Sequence, residues 1–64
     1  MDPDATYADM IGARDAGHYQ AAREHAQNLL EWLGRGGFPP KGMTRNEARD
    51  AATRIANRPR NRNR

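Results

Sequence analysis

The chain has 64 residues, carries 11 basic and 8 acidic side chains for a formal net charge of +3, and contains no cysteine. A chain this short forms one domain at most and buries only about 60% of the surface that its unfolded form exposes. Disulfides and cysteine-based metal sites cannot supplement so small a core, and no run approaches the ~20 apolar residues of a membrane span. The acidic opening lacks the apolar stretch of a signal peptide, so we expect a cytoplasmic protein.

The net charge hides a strong asymmetry between the two halves of the chain. Residues 1–33 hold two bases and six acids, a formal charge of −4, whereas residues 34–64 hold nine bases and two acids, a formal charge of +7. Such a division favours a basic binding face or an interaction tail in the second half.

The first element in chain order is a helix predicted over residues 3–15. Asp2 suits the N-cap position, and Pro3 suits the first helical position because its missing N–H would have no partner there. Gly17 is the expected left-handed residue of the turn that follows, and so short a turn makes the next helix an antiparallel neighbour. The residues predicted to form the packing face are Ala5, Ala8, Ile11 and Gly12, with Tyr7 and Met10 on its flanks.

The second helix is predicted over residues 18–34, because its apolar residues follow a spacing of three and four. Gly34, Gly36 and Gly37 offer left-handed positions where it stops, and two prolines then forbid further helix. We expect the Phe38-Pro39-Pro40 segment to pack against Trp32 and close one end of the core. The apolar stripe consists of Tyr19, Ala22, Ala26, Leu29 and Leu33, with Leu30 beside them.

Two resemblances rest on these helices. Gly17, Tyr19 and Ala22, with Leu29-Leu30 downstream, are similar to the second half of a tetratricopeptide unit across roughly residues 5–34. The resemblance implies a tight helical hairpin, and it departs from the pattern in having no proline directly after the second helix. One unit cannot form a solenoid, so that family's peptide groove is not implied. The run LLEWLGRGGFPP also resembles segments of many small bacterial and phage proteins, without implying an activity.

A third helix is predicted over residues 45–57 and is followed by a basic tail. Thr44 and Glu47 form a capping box at its start, and Pro59 ends it. Residues 58–64 alternate Arg and Asn and contain no apolar residue to bury, so a disordered tail is expected. The fold class is therefore all-α, with a three-helix domain over residues 1–57 and a tail over residues 58–64.

Catalytic and cofactor chemistry finds little support in the sequence. The chain has no serine for a nucleophilic triad, and its glycine run lacks the Gly-Lys-Ser/Thr ending of a phosphate loop. His18 and His25 would lie about 10 Å apart along one helix, too far to share a metal ion. We expect no enzyme, no cofactor and no metal.

The strongest functional signal is the arginine content of the second half. Arginine forks suit phosphate oxygens, so we expect non-specific binding to the backbone of DNA or RNA. No aromatic residues are interleaved with the arginines, which gives no support for stacking on single-stranded bases. The candidate nucleic-acid contacts are Arg45, Arg49, Arg54, Arg58, Arg60, Arg62 and Arg64.

An alternative is a protein-interaction or homodimerisation module with a solubilising basic tail. The core is thin and rich in alanine, so a second chain could complete it. Trp32, Phe38 and Met43 are the candidate interface, unless Trp32 and Phe38 serve as core residues. No membrane partner is expected.

Overall fold

The computed structural model describes residues 1–58 and contains three helices. Helix α1 spans Pro3–Asp15, α2 spans Tyr19–Gly34 and α3 spans Arg45–Ala56. The three predicted helices and the all-α class are confirmed, with bounds that differ by at most one residue. The predicted disordered tail falls almost wholly on residues 59–64, outside the described residues.

Helix α1 begins at the predicted cap. The Asp2 side chain accepts hydrogen bonds from the backbone N–H groups of Asp4 and Ala5, at 3.0 and 3.3 Å. These donors have no partner within the helix, and Pro3 at the first position removes a third. The chain therefore enters α1 with its first turn satisfied.

Helices α1 and α2 both end in a Schellman motif. At the end of α1, Gly17 has a φ of +81°, and the N–H of His18 donates to the carbonyl of Ala13 at 2.8 Å. At the end of α2, Gly36 has a φ of +88°, and the N–H of Gly37 donates to the carbonyl of Trp32 at 2.9 Å. Left-handed backbone carries no steric penalty at glycine, which explains why both helices stop where they do.

Helix α2 is central to the core. Helix α1 packs on α2, and so does α3, whereas α1 and α3 barely touch each other. The core is small and half of its members are alanine, so each buried aliphatic side chain carries a large share of the apolar area. The buried core residues are Met10, Ala22, Ala26, Leu29, Leu33, Ala48, Ala52 and Ile55.

The predicted packing face of α1 was wrong. Ala5, Ala8 and Gly12 are exposed, while Met10, predicted on the flank, is fully buried, and Ile11 is only half-buried. Helix α1 is rotated so that its largest aliphatic side chain faces α2, which removes more apolar area from water than three small residues would. The small residues at the α1–α2 contact are therefore those of α2, Ala22 and Ala26, which are fully buried.

The segment between α2 and α3 closes one end of the core, as predicted. The Trp32 and Phe38 rings meet edge to face, with centroids 5.6 Å apart and planes at 86°. The Trp32 Nε1–H donates to the Phe38 carbonyl at 2.9 Å, and Pro40 is buried. The Lys41 N–H donates to Asp4 Oδ1 at 2.6 Å, which ties this segment to the start of α1.

Candidate nucleic-acid interface

Helix α3 carries the candidate interface, and its start is fixed by a capping box. Thr44 Oγ1 accepts from the Glu47 N–H at 3.0 Å, and Glu47 Oε1 accepts from the Thr44 N–H at 2.8 Å. Two otherwise unsatisfied donors are paired reciprocally. The prediction of this box is confirmed, and the box fixes the residue at which α3 begins.

The core side of α3 is apolar, and the opposite side is polar. Ala48, Ala52 and Ile55 are buried against α2. On the solvent side, four side chains at helical spacing line an open groove of about 410 Å³. These groove residues are Asn46, Arg49, Asp50 and Thr53.

Three of the predicted contact arginines have partners within the fold. Arg45 Nη1 donates to the Leu33 carbonyl at 2.6 Å, near the C-terminal end of α2. This carbonyl lies at the negative end of the helix dipole, so the guanidinium stabilises the α2–α3 junction. Arg45 therefore has a structural partner in addition to its predicted role.

Arg54 and Arg58 have weaker partners. Arg54 Nη2 lies 3.0 Å from Asp50 Oδ2, and both side chains are largely exposed, at 78% and 63%. The Arg58 guanidinium lies 4.0 Å above the centroid of the Tyr19 ring. An exposed ion pair contributes only about 0–1 kcal/mol, so Arg54 can exchange its partner at little cost.

Arg49 differs from the other predicted arginines of α3. Its side chain is exposed on the groove, and it makes no ion pair or side-chain hydrogen bond with any described residue. The remaining predicted contacts, Arg60, Arg62 and Arg64, lie outside the described residues. Arg49 and Arg54 are thus both exposed on the solvent side of α3, five residues apart and at different positions around the helix axis.

The charge asymmetry of the sequence is retained on the surface. All six basic side chains between residues 34 and 58 are exposed, and so are all six acidic side chains of residues 1–33. In the basic half, the two acids are both engaged, Glu47 in the capping box and Asp50 with Arg54. Since α1 and α3 pack on α2 with little contact between them, the exposed cations of α3 lie on a different flank of α2 from the acids of α1.

The three residues of the candidate protein interface differ in solvent exposure. Phe38 is 63% exposed, while Trp32 and Met43 are half-buried and pack against the core. The Trp32 indole lies against Gly37, where a Cβ would overlap the ring. Trp32 is thus mainly a structural residue, and Phe38 is the side chain that a partner could reach.

Three members of the groove were not among the predicted site residues. Asn46, Asp50 and Thr53 accompany Arg49 at spacings of three, one and three residues, the pattern of one helix face. That spacing was readable from the sequence. The contact between Arg58 and Tyr19 could not be predicted from the sequence, because 39 positions separate the two residues along the chain.

Residues 1–58 offer neither a cluster of metal ligands nor a membrane-spanning helix. Within that range, no three His, Asp or Glu side chains come close enough to hold a metal ion. None of the three described helices combines the length and apolar character that crossing a membrane requires.

Comparison with known proteins leaves the chain without a family. The sequence matches no protein-family model and no curated protein, and the fold matches no solved structure. The resemblance to a tetratricopeptide unit stays a prediction. What can be said about function therefore rests on the geometry and charge of α3 and the residues that follow it.

Proposed function

We propose that the chain binds nucleic acid through contacts between its arginines and the phosphate backbone. The observation that carries this proposal is the separation of charge, because the exposed cations of α3 lie on a different flank of α2 from the acidic helix α1. A phosphate backbone attracts such a flank and is repelled by the other, so binding is oriented as well as attractive. The tail arginines add contacts of the same kind.

Arginine is well suited to this role. Its guanidinium is always charged and presents a planar fork of donors that matches two phosphate oxygens. Arg49 and Arg54 offer such forks on the solvent side of α3, and Arg58 continues the series toward the tail. Each phosphate contact releases counterions, so the affinity should fall steeply as salt rises.

The test compares two arginines in closely similar surroundings. Arg54 and Arg14 are both exposed, and each forms an ion pair of 3.0 Å with a nearby aspartate, but Arg14 lies in the acidic half. Arg54→Gln should lower the slope of log affinity against log salt by about 0.9 for duplex DNA. Arg14→Gln makes the same change in net charge and should leave the slope unchanged.

A larger change tests the contribution of the tail. Replacing Arg58, Arg60, Arg62 and Arg64 with Gln should reduce the slope by roughly 3–4, the value expected for four phosphate contacts. The measurement is a salt titration of binding to duplex DNA and to RNA of unrelated sequences. Absence of binding at low salt, or equal effects of Arg54→Gln and Arg14→Gln, would contradict the proposal.

A second candidate function is supported by the exposure of Phe38. A large aromatic side chain that is 63% exposed and held rigidly against Trp32 is a suitable anchor for a protein partner or a second copy. Such apolar association depends little on salt. Sedimentation of the wild-type chain and of Phe38→Ser tests it: a dimer that the substitution dissociates supports this function, and a monomer at all concentrations removes the homodimer.

A further inference from the structure

The groove on α3 contains an acidic side chain among donors. A surface that binds phosphates alone is best served by donors, and a carboxylate there repels the backbone. Asp50 nevertheless lines the groove beside Arg49, where it also pairs with Arg54 at 3.0 Å. This mixture of donors and acceptors fits the edges of base pairs, which present both.

We propose that α3 enters the major groove of duplex DNA and that the side chains lining the groove on α3 read the edges of the base pairs. This inference rests on the proposed nucleic-acid binding. Arg49 donates a bidentate pair to guanine O6 and N7, and Asn46 pairs with adenine N6 and N7. Asp50 accepts from the amino group of cytosine once Arg54, its partner in the free protein, has turned to a phosphate. The affinity for DNA then depends on its base sequence.

The dimensions of α3 suit this placement. A helix with its side chains is about 10–12 Å across, and the major groove of B-DNA is about 12 Å wide. The segment from residue 46 to residue 53 rises about 10 Å, which corresponds to roughly three base pairs. Since α3 packs on α2 and barely touches α1, its solvent side is not obstructed by the rest of the fold.

The same features favour duplex DNA over other nucleic acids. The major groove of A-form RNA is too narrow to admit a helix, and α3 has no aromatic residue on which an unpaired base could stack. Arg54 and Arg58 lie toward the end of the helix, where they can contact the phosphates that flank the groove. When Arg54 turns to a phosphate, Asp50 is released to accept from a base.

The experiment selects preferred sequences from duplexes with a randomised centre, using the full chain. The wild type should enrich a core of roughly three to four base pairs that contains guanine. Changing that guanine should weaken binding about 5- to 150-fold, the range expected for one bidentate contact. Circular dichroism establishes that each variant retains the helical content of the wild type.

Two substitutions separate base reading from backbone binding. Arg49→Met removes every donor of that side chain, so the preference for guanine should disappear, while affinity for unrelated duplexes falls only through the loss of one positive charge. Asp50→Asn removes repulsion, so affinity for unrelated duplexes should rise while the preference for its cytosine falls. A site that contacts only phosphates would also gain affinity from Asp50→Asn. It would show no change in base preference, because such a site does not distinguish between base sequences.

The outcomes distinguish this inference from the proposed function. Salt-dependent binding without any enriched sequence overturns base reading and leaves phosphate binding standing. An enriched sequence that Arg49→Met retains unchanged overturns the assignment to the α3 groove. Tighter binding to single strands or RNA than to duplex DNA overturns the choice of partner, and no binding at low salt overturns both proposals.

Discussion

The turn between α1 and α2 and the connection between α2 and α3 begin with the same local structure but differ greatly in length. Both start with a Schellman motif built on a glycine with positive φ, Gly17 in one and Gly36 in the other. After Gly17 the chain re-enters a helix within two residues, whereas after Gly36 it needs eight more residues before α3 begins. The glycine ends a helix, and the residues that follow decide what comes next.

The difference comes from Phe38, Pro39 and Pro40. Proline removes a donor and restricts its predecessor to extended backbone, so no helix can start directly after Gly37. The connection then gains stability from tertiary contacts, with Trp32 against Gly37 and Phe38, and Arg45 on the Leu33 carbonyl. Among residues 1–58, one such contact lies at the edge of the first turn, between Tyr19 and Arg58.

The largest expected effect is at Gly37. In Gly37→Ala the new Cβ overlaps the Trp32 indole, so the ring must move and lose its hydrogen bond to the Phe38 carbonyl. Overpacking and the lost bond together should lower the free energy of unfolding by about 2–3 kcal/mol. Urea unfolding followed by circular dichroism and Trp32 fluorescence measures it.

The matched control is Gly34→Ala, at a helical position with no atom within 4 Å of the added Cβ. It should leave stability unchanged or raise it by up to about 1 kcal/mol. Equal stability of the two variants would mean that Trp32 does not pack on Gly37.

A smaller effect than at Gly37 is expected at Arg45, which joins α3 to the end of α2. Arg45→Met keeps the length of the side chain and removes the charged donor to the Leu33 carbonyl, so unfolding should require about 1–1.5 kcal/mol less. Arg49→Met is the control, because Arg49 has no such partner among the described residues and should cost less than about 0.5 kcal/mol. Thermal unfolding of both variants compares them, and the reverse order would show that the Leu33 contact contributes nothing.

The two glycines with positive φ should respond equally. Gly17→Ala and Gly36→Ala each force an alanine into the left-handed region, which costs about 1–2 kcal/mol, because neither added Cβ meets another atom within 4 Å. Asparagine at either position should recover part of the loss. A clearly larger loss at one glycine would break the equivalence of the two motifs and indicate that tertiary contacts add to the local strain there.

The smallest effect is expected at Tyr19. Tyr19→Leu keeps an apolar side chain but removes the ring below Arg58, and a cation–π pair at an exposed site contributes about 0.5–1 kcal/mol. Tyr7→Leu provides the comparison, because it removes a ring on α1 over which no guanidinium of residues 1–58 lies. Hydrogen exchange of the last turn of α3 detects the local change, and identical protection in both variants would mean that Arg58 gains nothing from the ring.

How far the sequence predicts this fold differs between elements. Helix α3 was predicted well, because Thr44 and Glu47 are three residues apart and make their contacts locally. For α1 the bounds were right and the packing face was wrong, since its small residues lie on one side of the helix and Met10 on another. Only the position of α2 shows that Met10 is the residue that can fill the core.

The candidate site divides in the same way. The arginines of α3 and the helical spacing of Asn46, Arg49 and Thr53 are present in the sequence. Their surroundings are not, because the Leu33 carbonyl, the Tyr19 ring and the open solvent side of α3 depend on how the helices are arranged.

The sequence by itself determined where helices begin and end, and how charge is divided along the chain. Caps, glycines and prolines act over three to five residues, so their effects are fixed before any long-range contact forms. The tertiary structure alone decided which face of α1 is buried, and which arginines have internal partners and which face solvent. These outcomes depend on contacts between residues that are distant along the chain, and they follow from burying the most apolar area around α2.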